Sequence, residues 1–185
     1  ELPAGWSWVD PFGDCSYTLN DGLTLRAANG REMWFTNLSA PRMTVPLQGD
    51  FAAQTVCGPG APDRPAMGGL LLWQDADNFL QIERGRLGAS QLSFRGRVAG
   101  VNRAIGRGML DTRKMHLRLE SRAGRVRALC SCAGGDWYTL GTTEARFAGN
   151  AHIGLFATGL IARFIYFGAL REGAAIRFDS FRLWQ

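Results

Sequence analysis

Lysine is almost absent from this 185-residue chain: of its 21 basic side chains, Lys114 is the one that is not arginine. The arginines outnumber 16 carboxylates and leave a net charge of +5, but they are spread along the chain with no run of like charge. Local density rises only at Arg95, Arg97, Arg103 and Arg107. A scattered pattern of this kind fits solvated or carboxylate-paired side chains rather than a nucleic-acid or membrane footprint. No apolar run approaches the ~20 residues that a bilayer-spanning helix needs. Also missing are a convincing amphipathic helix, a repeat, a low-complexity tract and a glycine-rich phosphate loop leading into a helix.

Strands fill the space these absences leave. Hydrophobic content of 46% and aromatic content of 11% are those of a globular protein, and the length suits one domain over residues 1–185. About thirteen short period-two segments, separated by Gly, Pro, Asn and Asp turns, predict an all-β, two-sheet antiparallel β-sandwich or jelly roll. Residues 162–167 are among the segments read as strand, whereas the Gly- and Arg-containing stretch after Val98, through Gly108, reads as a connection. The centre of the pattern is a hairpin around Asp75-Ala76-Asp77-Asn78. A loop of two or four residues pairs Trp73 with Leu80, Leu71 with Ile82, Leu72 with Gln81 and Leu70 with Glu83. One face (Leu71, Trp73, Leu80, Ile82) is then wholly apolar, and the other mixes Leu70, Leu72 and Phe79 with Gln74, Gln81 and Glu83.

A second hairpin folds about Ala123-Gly124. Its two-residue loop pairs Leu117 with Cys130, Leu119 with Ala128 and Met115 with Cys132, so the cysteines share the apolar face. His116, Arg118, Glu120 and Arg127 share the other. A zinc site built from Cys130, Cys132 and His116 would need ligands from both faces of one sheet, which excludes it. The two thiols read as small hydrophobes, and a Cys15–Cys57 disulfide is left open by sequence.

Several segments recur in a known order: Gly5-Trp6-Ser7-Trp8, Ala40-Pro41-Arg42, Gly49-Asp50-Phe51, Gly69-Leu70-Leu71-Leu72-Trp73-Gln74-Asp75, Asn78-Phe79-Leu80 and Leu117-Arg118-Leu119-Glu120. Ser131-x-x-Gly134-x-x-Trp137, Ile153-Gly154-Leu155-Phe156-Ala157 and Phe178-Asp179-x-Phe181-Arg182 complete the series. In this the chain resembles concanavalin A-like sandwich modules of the "regulation of enolase" type, related to the C-terminal β-sandwich of family 43 β-xylosidases. The resemblance implies two packed antiparallel sheets, often carbohydrate-associated and frequently appended to enzymes. An Asp-Gly turn usual in that group is Ala133-Gly134 here, so no aspartate-dependent contact is carried over to it. The alternating carboxylates of laminarinase-type relatives, Glu-x-Asp-x-x-Glu, have no counterpart.

The leading functional expectation is a non-catalytic carbohydrate-binding module whose partner is an oligosaccharide or polysaccharide, with neither nucleic acid nor membrane as partner. Sugars stack on exposed aromatics while nearby amides and charges take the hydroxyls. Trp34 and Trp137 are the candidate platforms. Gln81, Glu83, His116, Arg118, Glu120 and Arg127 supply polar contacts if both hairpins share one concave sheet. An enzymatic alternative uses Glu83 and Glu120 across the same groove, with His116, in a glycan-active hydrolase or lyase. A third reading has the Arg95–Arg107 stretch meeting an acidic partner. No cofactor is required by any of these, although Asp75, Asp77 and Asn78, or Asp10 with Asp179, offer oxygens for a structural calcium ion.

Overall fold

The computed structural model describes residues 2–185, and among them it contains sixteen strands and no helix. In chain order these begin with β1 (Ser7–Val9), β2 (Ser16–Leu19), β3 (Leu23–Ala27), β4 (Met33–Trp34), β5 (Asn37–Leu38), β6 (Arg42–Pro46), β7 (Phe51–Pro59) and β8 (Gly68–Asp75). They continue with β9 (Asn78–Gly85), β10 (Gly88–Val98), β11 (Val101–Met109), β12 (Met115–Arg122), β13 (Arg125–Ser131), β14 (Tyr138–Glu144), β15 (His152–Ala157) and β16 (Ala174–Trp184). Two seven-stranded antiparallel sheets result. The first runs β1-β6-β15-β8-β9-β10-β11 and the second β14-β13-β12-β7-β16-β3-β2, with β4-β5 as a small separate hairpin.

Period-two patterning decides which side chains meet between the sheets. Leu70, Leu72, Leu80, Ile82 and Phe94 of the first sheet pack against Ala53, Cys57, Leu117, Leu119, Ala128 and Phe178 of the second. Each fully buried leucine or isoleucine there contributes about 1.5–3 kcal/mol. Along one side the edge strands β11 and β14 approach each other, where Arg103 Nη1 donates to Thr143 Oγ1 at 3.2 Å. At one end Arg84 staples the sheets together. Its Nη1 donates to the carbonyls of Cys57 (3.2 Å) and Arg113 (2.8 Å), and its Nη2 to that of Ala89 (3.0 Å).

The central hairpin has the two-residue loop that sequence allows, since Asp75 pairs with Asn78. Beyond it the register differs by one residue from the expected pairing: Trp73 opposes Phe79, Leu72 opposes Leu80, Leu71 opposes Gln81 and Leu70 opposes Ile82. A bulge at Gln74 causes the slip. Gln74 is used where it stands, its Oε1 accepting from the Ala148 N–H at 2.6 Å and its Nε2 donating to Asp75 at 3.0 Å. A one-residue slip exchanges the faces of a strand. Leu70 and Leu72 therefore enter the main core, while Leu71 and Trp73 turn outward beside Phe79. The second hairpin has the expected register at Leu117 with Cys130 and Leu119 with Ala128, but β13 ends at Ser131, so the expected Met115–Cys132 pair does not form and Cys132 is exposed rather than on the apolar face.

Two other expectations are corrected. The stretch after Val98 is strand β11, an edge strand whose mixed exposure hides the alternation of a half-buried ribbon. Residues 162–167 alternate well but find no partner strand, and they form turns instead. That segment is tied down by the Tyr166 hydroxyl donating to the Gly85 carbonyl and by an Arg163–Glu172 ion pair at 2.5 Å. Phe164 and Phe167 point to solvent.

All four cysteines are free, so Cys15 and Cys57 are not bridged. Burial pushes both thiols up to about 12, Cys57 fully buried toward the C-terminal end of β7 and Cys15 beside the Asp14 and Asp10 carboxylates. Cys132 is exposed. A maleimide applied to native protein near neutral pH should label Cys132 first and reach Cys57 only on unfolding, because the thiolate is the reacting species. Peptide mapping of a labelling time course checks this order.

Candidate functional site

The two hairpins expected to floor one trough lie in different sheets, so the eight candidate residues do not form one site. Trp34, Gln81 and Glu83 belong to the outer side of the first sheet. His116, Arg118, Glu120, Arg127 and Trp137 belong to the outer side of the second. Glu83 and Glu120 thus stand on opposite faces of the sandwich, which removes the expected acid–base pair across a groove.

The outer face of the first sheet is covered by the protein's own chain. The β4-β5 hairpin lays Met33 and Leu38 over Leu71, Phe79 and Phe156, with Trp73 packed alongside. Beneath it runs a buried ionic chain. Arg95 Nη2 meets Glu83 Oε2 at 2.8 Å and Glu32 Oε1 at 3.3 Å, Arg86 pairs with Glu32, and the Thr158 hydroxyl donates to Glu83 Oε1 at 2.6 Å. Trp34 lies over the Arg95 guanidinium, 4.6 Å from it. Burial, together with neighbouring Arg95, holds Arg86 down at about 10, which leaves it charged at neutral pH. Gln81 is fully buried and Glu83 is 1% exposed. In this arrangement a glycan reaches neither of them.

The outer face of the second sheet is open. Register places Arg182, Gln54 and Arg118 in one cross-strand row, and Trp184, Ala52, Glu120 and Arg127 in the next. The Arg118 guanidinium lies 5.7 Å from the ring centres of both Trp137 and Trp184. Its Nε is 2.9 Å from Glu120 Oε1, and Arg127 Nη2 holds Glu120 Oε2 at 2.7 Å. These pairs are solvent-screened and add little to stability. They do fix the direction in which each guanidinium points. His116 sets its ring edge-on to Trp137 at 6.4 Å, and burial lowers its pKa, so the imidazole is neutral at pH 7. Sequence reading missed Trp184, Arg182 and Gln54. The alternation of Phe181 and Leu183 (inward) with Arg182 and Trp184 (outward) was the available signal.

The Asp75–Asn78 turn spends its oxygens on itself. Asp75 accepts from the Asp77 N–H at 2.9 Å, Asn78 Nδ2 at 3.0 Å and Gln74 Nε2 at 3.0 Å, and Asn78 Oδ1 accepts from the Ala99 N–H at 3.0 Å. Partial desolvation pushes the Asp75 carboxyl up, but these hydrogen bonds together hold it below its ordinary value. Asp77 Oδ1 lies 3.5 Å from Arg97. Asp179, the other calcium candidate with Asp10, pairs instead with Lys114 (2.5 Å) and Arg177 (2.8 Å). The Arg95–Arg107 stretch is a paired strand hairpin rather than a free loop, with Arg95 buried.

No protein-family model and no curated protein matches the sequence. Solved structures do share the fold. A functionally unknown protein from Saccharomyces cerevisiae is similar with a TM-score of 0.76 and 17% identity, over 98% of this chain and 96% of that one. The GH43 protein BlXynB from Bacillus licheniformis is similar at TM-score 0.73 and 16% identity, over 99% of this chain but 37% of that one. The carbohydrate-binding module CBM66 from Bacillus subtilis is similar at 0.62 and 13%, over 98% and 96%. The chain therefore corresponds to little more than a third of BlXynB and to nearly all of the CBM66 chain. The likeness to GH43 sandwiches holds at the level of fold, and the narrower regulation-of-enolase assignment draws nothing from these structures.

Two substitutions test the placements. Glu83→Leu strips Arg95 of its shorter ion pair and leaves the Thr158 hydroxyl unpaired, so chemical denaturation should show a loss of about 3 kcal/mol. Asp75→Ala should cost about 1–2 kcal/mol through the lost turn bonds. Millimolar calcium should leave the melting temperature of the unsubstituted protein where it is; a rise of several degrees would assign the turn to the ion instead.

Proposed function

We propose that the chain is a non-catalytic carbohydrate-binding module, of the regulation-of-enolase kind that its motifs resemble, with its glycan on the outer face of the second sheet. One observation carries the reading: an open sheet face presents Trp137 and Trp184 on either side of the Arg118 guanidinium, with Glu120 and Arg127 fixed beside it. Pyranose rings offer apolar faces that stack on indoles, and their hydroxyls bond to oriented charges and to neutral polar groups such as the Gln54 amide and the His116 imidazole. The carbohydrate-binding module CBM66 has the same fold over nearly its whole length, which supports the reading.

Binding without turnover fits the carboxylates present. Glu120 stands on this face held by two arginines, and the other outward glutamate, Glu144, lies two strands away on β14. In titration calorimetry against glycans first selected on an array, Trp137→Ala and Trp184→Ala should each weaken binding by about tenfold, as loss of a stacking anchor does. Arg118→Ala should do at least as much. Hydrolysis of any bound glycan, abolished by Glu120→Gln, would replace the module reading with an enzyme.

A further inference from the structure

The same face carries more positive charge than its own carboxylates neutralise. On β12, β13, β14 and the C-terminal end of β16, five arginines point outward (Arg118, Arg122, Arg125, Arg127 and Arg182) against two glutamates, Glu120 and Glu144. Glu120 is taken by Arg118 and Arg127. Among the described residues no carboxylate lies within 4.0 Å of Arg122, Arg125 or Arg182. Glu144 opposes Arg125 in register without reaching it.

Arg122 and Arg125 are moreover directly opposite each other across β12 and β13, flanking the Ala123-Gly124 turn. Like charges in that relation destabilise a hairpin. Both side chains are exposed, and among the described residues neither makes a side-chain hydrogen bond or an ion pair. With Glu120, Arg127 and Thr142 they line an open depression of about 430 Å³. The outward positions His116, Arg118, Glu120 and Arg122 succeed one another along β12, so this depression and the two tryptophans lie on one track of roughly 20 Å.

Two unpaired guanidinium forks at one end of an aromatic track call for a planar anion that can take two parallel N–H bonds, which a carboxylate does. We propose that the ligand is an acidic polysaccharide bearing uronate carboxylates. A sugar carboxylate docks between Arg122 and Arg125 while neighbouring rings stack on Trp184 and Trp137. This rests on the carbohydrate-binding reading above and names the glycan class it leaves open. The carboxylate neutralises the juxtaposed arginines, so the bound state relieves a repulsion present in the free protein.

The test uses oligomers of polygalacturonate and the same oligomers fully methyl-esterified, titrated into the full chain at fixed ionic strength. The acid form should bind at least tenfold more tightly than the ester. The double variant Arg122→Gln, Arg125→Gln should lose that difference, with binding to the ester unchanged. Its melting temperature should be equal to or above that of the parent, which separates lost recognition from lost folding. Equal affinity for acid and ester, both abolished by Trp184→Ala, would overturn the uronate proposal and leave a neutral-glycan module standing. Equal binding of dextran sulfate or single-stranded DNA would also overturn it, because charge alone would then be recognised. Failure to bind any glycan, acidic or neutral, would end both readings.

Discussion

The arrangement depends on a short ionic chain: Glu32, Arg95 and Glu83 are closed away from water, with the partly exposed Arg86 at one end and the Thr158 hydroxyl at the other. Charges of this kind are costly to bury and are tolerated when every partner is in place. Here the partners come from β9, β10, the turn between them, the residue just before β4 and the segment after β15. Their pairing pins the small hairpin onto the first sheet and brings Met33 and Leu38 onto Leu71 and Phe79. One outer face of the sandwich is thereby converted into a second, smaller core. The other outer face, around Arg118, Trp137 and Trp184, has no such hairpin over it.

Local rules carried the sequence reading a long way and stopped where distant contacts take over. The Ala123-Gly124 hairpin was legible down to individual pairs, because a two-residue turn fixes register and the two residues take the positive φ angles it requires (50° and 77°). The central hairpin was legible in its turn but slipped by one residue. Its bulge residue Gln74 is held by a backbone N–H 74 positions away, which no window of sequence contains. Strand β11 was missed because an edge strand half in solvent loses its alternation. Residues 162–167 show the reverse: alternation is necessary for a strand, but a partner must exist to pair with it.

The site divides in the same way. His116, Arg118, Glu120 and Arg127 were placed together correctly because one hairpin holds them all, and their ion pairing through Glu120 followed from that placement. Gln81 and Glu83 were joined to them on the assumption that neighbouring hairpins share a sheet. Sheet membership is set by how fourteen strands partition between two layers, and period-two patterning is silent on that. Trp184 enters the face only through the pairing of β16 with β7, which joins residues more than a hundred positions apart.

Arg84 carries a different consequence. Its cation, buried between the sheets, is met by three backbone carbonyls, those of Cys57, Arg113 and Ala89. Carbonyl dipoles compensate a full charge only while all three stay aimed at it. Pulling the loop around Arg113 away would strand a guanidinium in a dry environment, so local fraying at this end is suppressed and the two layers part there together or not at all. The sandwich is in effect hinged shut at one corner by a single side chain.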